Sequence, residues 1–297
     1  VWMKHSPNNP KTHLRLCFSR LEAGKYLEER VYGYFKHIVM CGALLFTKKT
    51  EDYTKDQLRL DDDVLTKRYQ GAFDYAHQAR AVFATDSPDL SSMLSKAEYH
   101  AYLTDALADI IEKTSLQTLV LFNSLEDIEA VYNGLSIRGL NKKREILAQG
   151  VNGTPEKLKK RFVLTSSKSI LLGAGSFWEG IDLPEEKLEL LVITRLPFQS
   201  PDSLINKVRY RNVQAKGHNP FSAVSLPEAA LKFRQGFGRL IRTKDDHGIL
   251  AVLDSRIVNK RYAHEFTDTL PKDLRIDRVE MKDIPEIIRD TEKDFGF

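Results

Sequence analysis

From Thr118 onward the chain alternates short apolar runs with amphipathic stretches, and no other feature constrains its fold as tightly. The runs at 118–122, 146–148, 169–172, 188–194 and 249–253 read as buried strands. Between and after them, 125–135, 155–165, 201–216, 227–241 and 260–266 have helical spacing. Strands that are apolar throughout need cover on both faces, so this order predicts an α/β fold with a mostly parallel sheet. Upstream the pattern is less regular. Residues 14–18 and 37–46 read as strands, and 21–35 and 97–111 as helices. The charge-rich segment 48–63 reads as a surface loop, and Asp86-Ser87-Pro88-Asp89 marks another loop within 83–95.

Candidate functional residues concentrate in three places. The stretch 235–242 is Gln-Gly-Phe-Gly-Arg-Leu-Ile-Arg. On a helix, Gln235, Arg239 and Arg242 would share one face. Pro227 suits a first helical turn, and Glu228 suits the positive end of the helix dipole. Gly236 and Gly238 are poor helix formers, each costing about 1 kcal/mol relative to Ala, which points to a close approach to the backbone there. Two guanidinium forks at fixed spacing suit a polyphosphate, although two solvated arginines on a surface helix have the same spacing.

A second place is the run from Ser169 to Pro184, where an apolar strand enters a Gly-rich turn carrying Ser176, Trp178, Glu179, Gly180 and Asp182. Open α/β sheets bind ligands at such strand ends. Trp178 is either a stacking platform for a base or a packing residue under the loop. The third place is the strand 118–122 followed by Asn123 and Ser124. There Ser124 is a helix N-cap, a phosphate contact, or both.

Taken in order and spacing, these segments resemble motifs IV, V and VI of superfamily 2 helicases, most closely the DinG branch of the XPD/DinG group. The matching text is Ala148-Gln149-Gly150, Phe177-Trp178-Glu179-Gly180-Ile181-Asp182, Leu196-Pro197-Phe198, Asn219-Pro220-Phe221, the stretch 235–242 and Leu253-Asp254-Ser255-Arg256. It covers 117–271. The resemblance implies a RecA-like second motor domain that lacks its own Walker A loop. It implies that Arg239 and Arg242 act as arginine fingers, and that Gln235, Glu179, Gly180 and Asp182 face the nucleotide. Glu179 and Asp182 would switch between DNA and nucleotide, or else cap the turn. Ser124, Ser176, Trp178 and Lys159 are the implied nucleic-acid contacts. Lys159 belongs to the run Lys157-Leu158-Lys159-Lys160-Arg161, which reads equally as a solvated helix face.

One motif departs from the family. Where a Ser-Ala-Thr-Leu sequence is expected after a strand, this chain has Cys41-Gly42-Ala43-Leu44. The hydroxyls that would couple nucleotide to DNA are missing, which weakens the expectation of tight coupling. The chain also has no Gly-x-x-x-x-Gly-Lys-Ser/Thr loop and no Asp-Glu-x-His pair. The resemblance therefore implies that ATP and Mg2+ are bound mainly by a first RecA-like domain of the same polypeptide, outside this chain. Val1 in place of Met fits a piece of a longer protein, inactive in isolation. The expected division is 1–50, an N-terminal segment leading into the degenerate third motif, and 51–297, the RecA-like domain.

Composition sets outer limits. The net charge of +4 over 297 residues permits nucleic-acid contact without requiring it. Two cysteines, Cys17 and Cys41, cannot build the four-cysteine iron–sulfur cluster found in relatives, and both are expected to be buried thiols. The eight histidines show no metal-ligand spacing, and His77 and His100 read as surface residues. No apolar run approaches the ~18 residues of a membrane span, and a cytoplasmic protein with single-stranded DNA as its partner is expected. Two other classes compete with the motor. One is a non-motor single-strand-binding or scaffold module, for instance within an exonuclease fusion. The other is a small-molecule enzyme, which lacks a phosphate fingerprint at any strand–helix turn.

Overall fold

The computed structural model describes residues 2–6, 9–17, 22–42, 45, 51–67, 69, 71, 73–88, 95–164, 168–178 and 188–297. The chain divides into two compact units, one of Val1–Lys67 with Ser200–Val224 and one of Arg68–Gln199 with Ser225–Phe297. This partition differs from a boundary at residue 50, because 51–67 and the later segment 200–224 group with the N-terminal part.

In the smaller unit, β1 (Trp2–Ser6) and β2 (Asn9–Cys17) form an antiparallel hairpin. The helix expected over 21–35 is shorter, Ala23–Arg30, followed by a single turn at Tyr32–Tyr34. The segment 48–63 holds a helix, Glu51–Leu58, where a loop was expected. The first helix presents Gly24 to it, and a Cβ at Gly24 would lie 2.5 Å from the Gln57 carbonyl. Contact between the helices, more than the polar sequence, accounts for order there. The strand expected over 37–46 is not found in its described part, since 37–42 are irregular and mostly exposed. Cys41 is accordingly exposed, not buried. The third helix, Leu204–Ala215, begins at Ser203, whose hydroxyl accepts from the Asn206 amide.

The larger unit is a seven-stranded, wholly parallel sheet. Its strands are β3 (Ala79–Ala84), β4 (Thr118–Leu121), β5 (Ile146–Ala148), β6 (Ile170–Gly173), β7 (Leu190–Ile193), β8 (Gly248–Val252) and β9 (Arg275–Val279), in the spatial order β5-β6-β4-β7-β8-β3-β9. Alternate residues serve two separate cores. Leu119, Leu121, Leu171, Leu191 and Phe83 pack under helices Pro155–Leu164 and Leu226–Phe237. Val120, Phe122, Leu172, Val192 and Val82 pack under Lys96–Lys113, Leu125–Ile137 and Ile284–Phe295. The α/β class with helices on both faces is therefore observed. Register aligns the carboxyl ends of the strands: Leu121 lies opposite Gly173 and Ile193, Ile193 opposite Val252, and Val252 opposite Phe83. The loops that leave this edge carry most of the candidate residues.

Candidate nucleotide and nucleic-acid site

At the end of β4, Ser124 adopts an extended N-cap conformation and its Oγ accepts the Asp127 amide at 3.1 Å. Glu126 and Asp127 follow in the first turn, where carboxylates complement the helix dipole. Asp127 also bonds His100 at 2.8 Å, so His100 is a half-buried partner of this helix start, not a surface residue. The capping role of Ser124 is thus directly visible.

The turn after β6 is built by two glycines. A Cβ at Gly173 would lie 2.4 Å from the Phe177 ring, so only Gly lets the ring lie back over the strand. Gly175 has φ 55°, a left-handed conformation that Gly adopts without steric cost. Between them the Ala174 amide donates to Gln149 Oε1 at 2.8 Å, joining the ends of β5 and β6. The turn exposes Ser176 and folds Phe177 and Trp178 inward.

Trp178 is 1% exposed, and its Nε1 donates to the Phe122 carbonyl at 2.7 Å. Both ring and N–H are committed to the core. The stacking role for Trp178 is therefore corrected: a base has no access to this indole. At Gly236 a Cβ would stand 3.6 Å from both the indole and Leu121, an ordinary contact distance, so this packing does not by itself require glycine. Among the described residues, what approaches the helix backbone at Gly236 is this tryptophan, together with Leu121.

The helix carrying Gln235 is Leu226–Phe237, and Gly238 caps it. Arg239 and Arg242 therefore lie beyond the helix, and the expected common helical face does not form. Gln235 stays on the last helical turn, half-buried. The break turns Arg239 inward. Its side chain is buried, and Nη1 donates to the carbonyl of Phe177 in the turn after β6. Its Nη2 is buried with no hydrogen-bond acceptor among the described residues. Burial, and next the charge of Arg242, push its pKa down to about 10, so the guanidinium remains charged at neutral pH. Arg242 is exposed, with its backbone amide held by Asp246 Oδ2 at 2.8 Å.

Glu179, Gly180 and Asp182 lie outside the described residues. Lys159 is half-buried on Pro155–Leu164, a helix that buries Leu158 and Phe162 and exposes Lys157 and Lys160. Arg161 pairs with Glu145. The basic run is in this respect an ordinary amphipathic helix face. No cluster of His, Cys, Asp or Glu able to hold a metal occurs among the described residues, and none of their helices is long and apolar enough to cross a membrane.

Further polar stitches run along the same edge. Asn123 Nδ2 donates to the Leu196 carbonyl at 2.9 Å, and the Leu196 amide donates to Asp254 Oδ2 at 2.8 Å. Asp254 holds Arg256 through Nε at 2.9 Å and Nη2 at 2.6 Å. These groups have no assigned role in the sequence reading, although Asp254 directly after an apolar strand is a recognisable ligand-edge position.

Residues 107–273, more than half of the chain, match the family "Helicase C-terminal domain". The chain is 32% identical over 273 residues to the 3'-5' exonuclease DinG of Bacillus subtilis, a match covering 91% of this chain and 29% of that protein. It is also 32% identical over 279 residues to the ATP-dependent DNA helicase DinG of Photobacterium profundum, covering 93% of this chain and 40% of that protein. Among solved structures, one titled "XPD_Helicase" superposes with a TM-score of 0.63 at 19% identity, covering 87% of this chain and 45% of that one. The chain thus spans less than half the length of these relatives. Its parallel sheet is RecA-like, and the chain belongs to the helicase C-terminal domain family, with DinG-type helicases as its relatives.

Proposed function

We propose that this chain is the second motor half of a DinG-type, ATP-dependent DNA helicase or translocase. On this reading the RecA-like domain comprises 68–199 and 225–297. It closes on a nucleotide held mainly by a first RecA-like domain of the same polypeptide, and it contacts single-stranded DNA in the cytoplasm.

The observation that carries the reading is Arg239. A guanidinium withdrawn from water, with one nitrogen lacking an acceptor, is costly unless an anion is delivered to it. A γ-phosphate is such an anion, and an arginine at that position stabilises charge as the phosphoryl group transfers. Arg242, exposed just beyond, would supply the second cation. When bound, MgATP provides the phosphoryl group transferred to water. Arg239 and Arg242 hold and neutralise its terminal oxygens, and Gln235 contributes from the last helical turn. Glu179, Gly180 and Asp182 retain their proposed place between nucleotide and DNA. Because Arg239 bonds the carbonyl of Phe177, a shift of the guanidinium would be felt in the turn carrying Ser176. Together with Ser124, and with Lys159 at the periphery, that turn is the proposed track for the strand. Closing on ATP and reopening on ADP would then move the strand.

The test is DNA-stimulated ATP hydrolysis by the full-length protein. Arg242→Ala is expected to lower turnover on the order of 10³-fold, with Arg242→Lys rescuing poorly because the planar fork is lost. The chain alone is expected to show no turnover. Unchanged hydrolysis in the Arg242→Ala protein would contradict the assignment. The departing third motif, irregular and exposed at 41–42, favours a second reading: a single-strand-binding module with degenerate coupling, as in an exonuclease fusion. Full-length protein that binds single strands but never hydrolyses ATP would select it.

A further inference from the structure

We propose that Arg195 is a binding residue for a phosphodiester of the single strand, a role that rests on the single-strand reading above and extends its track by one strand end. Arg195 lies just past the carboxyl end of β7, between β4 and β8 in the sheet. Its neighbours on both sides are pinned. The Thr194 amide and hydroxyl both donate to the Leu121 carbonyl, at 3.1 and 2.9 Å. Leu196 is held through its carbonyl by Asn123 and through its amide by Asp254. The backbone that presents Arg195 at the end of β7 is thus fixed from the ends of both neighbouring strands, β4 and β8. Such preorganisation lowers the ordering cost of holding a ligand.

The side chain has no comparable restraint. It is half-buried and makes no hydrogen bond or ion pair among the described residues. It lines a recess with Ser87, Tyr99, Asp254 and Arg256. The carboxylate in that recess is already engaged, since Asp254 accepts from the Leu196 amide and from two nitrogens of Arg256. Two further acids among the described residues, Asp127 and Asp86, are engaged as well. Asp127 bonds His100, and Asp86 Oδ1 accepts the Met281 amide at 2.8 Å. Among the described residues of the recess, two arginines face one carboxylate, which leaves one positive charge unmatched. The phenol of Tyr99 senses it: burial raises the Tyr99 pKa, and the Arg195 charge opposes that rise.

The position fits a strand better than a lone ion. Along the carboxyl edge the ends of β6, β4 and β7 present Ser176, Ser124 and Arg195 in that order. Neighbouring strands lie about 4.8 Å apart, so the three positions span about 10 Å of edge, room for more than one backbone phosphate. A hydroxyl at a helix start, an exposed turn and a fixed guanidinium contact phosphate oxygens and leave the bases unread.

The experiment is fluorescence anisotropy of a labelled oligodeoxythymidylate with the full-length protein across a salt series, paired with titration of a fluorescent ATP analogue. Arg195→Gln is expected to weaken oligonucleotide binding about tenfold or more, the loss of one charge-assisted bond. It should also reduce the slope of log affinity against log salt by about 0.7, the value for one phosphate on a single strand. Affinity for the ATP analogue should stay unchanged. Arg195→Lys, which keeps the charge, should preserve the slope. Arg195→Met, which removes the charge without adding a polar group, should reduce it as Arg195→Gln does, and decides the matter if the glutamine variant fails to fold. Wild-type affinity and slope in a folded variant that lacks the charge, Arg195→Gln or Arg195→Met, would overturn the assignment. Loss of ATP-analogue affinity with oligonucleotide binding intact would also overturn it, by placing Arg195 at the nucleotide. If the wild-type protein itself binds no single strand at low salt, the track reading fails first.

Discussion

The two edges of the parallel sheet treat their polar groups differently. At the amino edge several polar side chains are saturated, although Arg234, beside Tyr75, keeps a buried Nη1 without an acceptor among the described residues. Gln78 donates through one nitrogen to the carbonyls of Thr243, Lys244 and Asp246, at 3.0, 3.0 and 2.9 Å. Arg144 donates to the carbonyls of Lys168, Thr114 and Leu116. Glu189 accepts the Gln117 amide and pairs with Lys168. At the carboxyl edge and the turn after β6, amides and carboxylates stitch the loops together in the same way, yet two cations are left over. Arg239 keeps a buried nitrogen without an acceptor, and Arg195 makes no polar bond among the described residues. Saturation marks groups that hold the fold. Incomplete satisfaction of a positive charge marks where an anion is expected.

The comparison predicts different losses at different residues. The largest concerns Trp178, which lies next to the proposed site and is saturated. Trp178→Ala should lower stability by about 3–5 kcal/mol, as removal of a large buried aromatic does. Thermal or denaturant unfolding measures this, and an unchanged midpoint with lost DNA binding would restore the stacking role. At the amino edge, Gln78→Ala should cost about 1–3 kcal/mol by leaving three carbonyls without their donor. Gln78 also holds Thr243 and Asp246, next to Arg242, so DNA-stimulated ATP hydrolysis at a temperature where the variant is folded should fall far less than the loss expected of Arg242→Ala. A catalytic defect as large as that loss would break the distinction between the edges. Lys157→Gln with Lys160→Gln, on exposed positions of one helix, should change stability by less than about 0.5 kcal/mol. Those two lysines should also alter the salt dependence of single-strand binding less than Arg195 does. A larger effect would move the track toward the helix Pro155–Leu164.

How much of this was legible in the sequence follows the same physics. Strands β4 to β8 announce themselves because they are apolar throughout. β3 does not: Ala79–Ala84 is half alanine and contains Arg80, so it lacks an aliphatic run, although it lies between β8 and β9. Arg80 is tolerated because Asp277 on β9 pairs with it at 2.7 Å. β9 itself, Arg-Ile-Asp-Arg-Val at the sheet edge, is too polar to read as a strand without its neighbour. In the site, the Ser124 cap is local and could be read directly. The inward turn of Arg239 could not, because it depends on where the helix stops. Glycine penalties at 236 and 238 indicate a special place without saying that one glycine sits under Trp178 and the other ends the helix. The unmatched charge at Arg195 appears only when four separate segments meet.

The central claim is that Arg239 is kept buried and charged for chemistry and not for stability. Arg239→Met in the full-length protein tests it most directly, with unfolding midpoint and DNA-stimulated ATP hydrolysis measured on the same preparation. Methionine fills much of the space and removes a desolvated charge, at the loss of the bond to the Phe177 carbonyl. The account predicts a midpoint that holds or rises, with turnover reduced on the order of 10³-fold. A variant that hydrolyses ATP at the normal rate, or one that loses activity only because it unfolds, would contradict it.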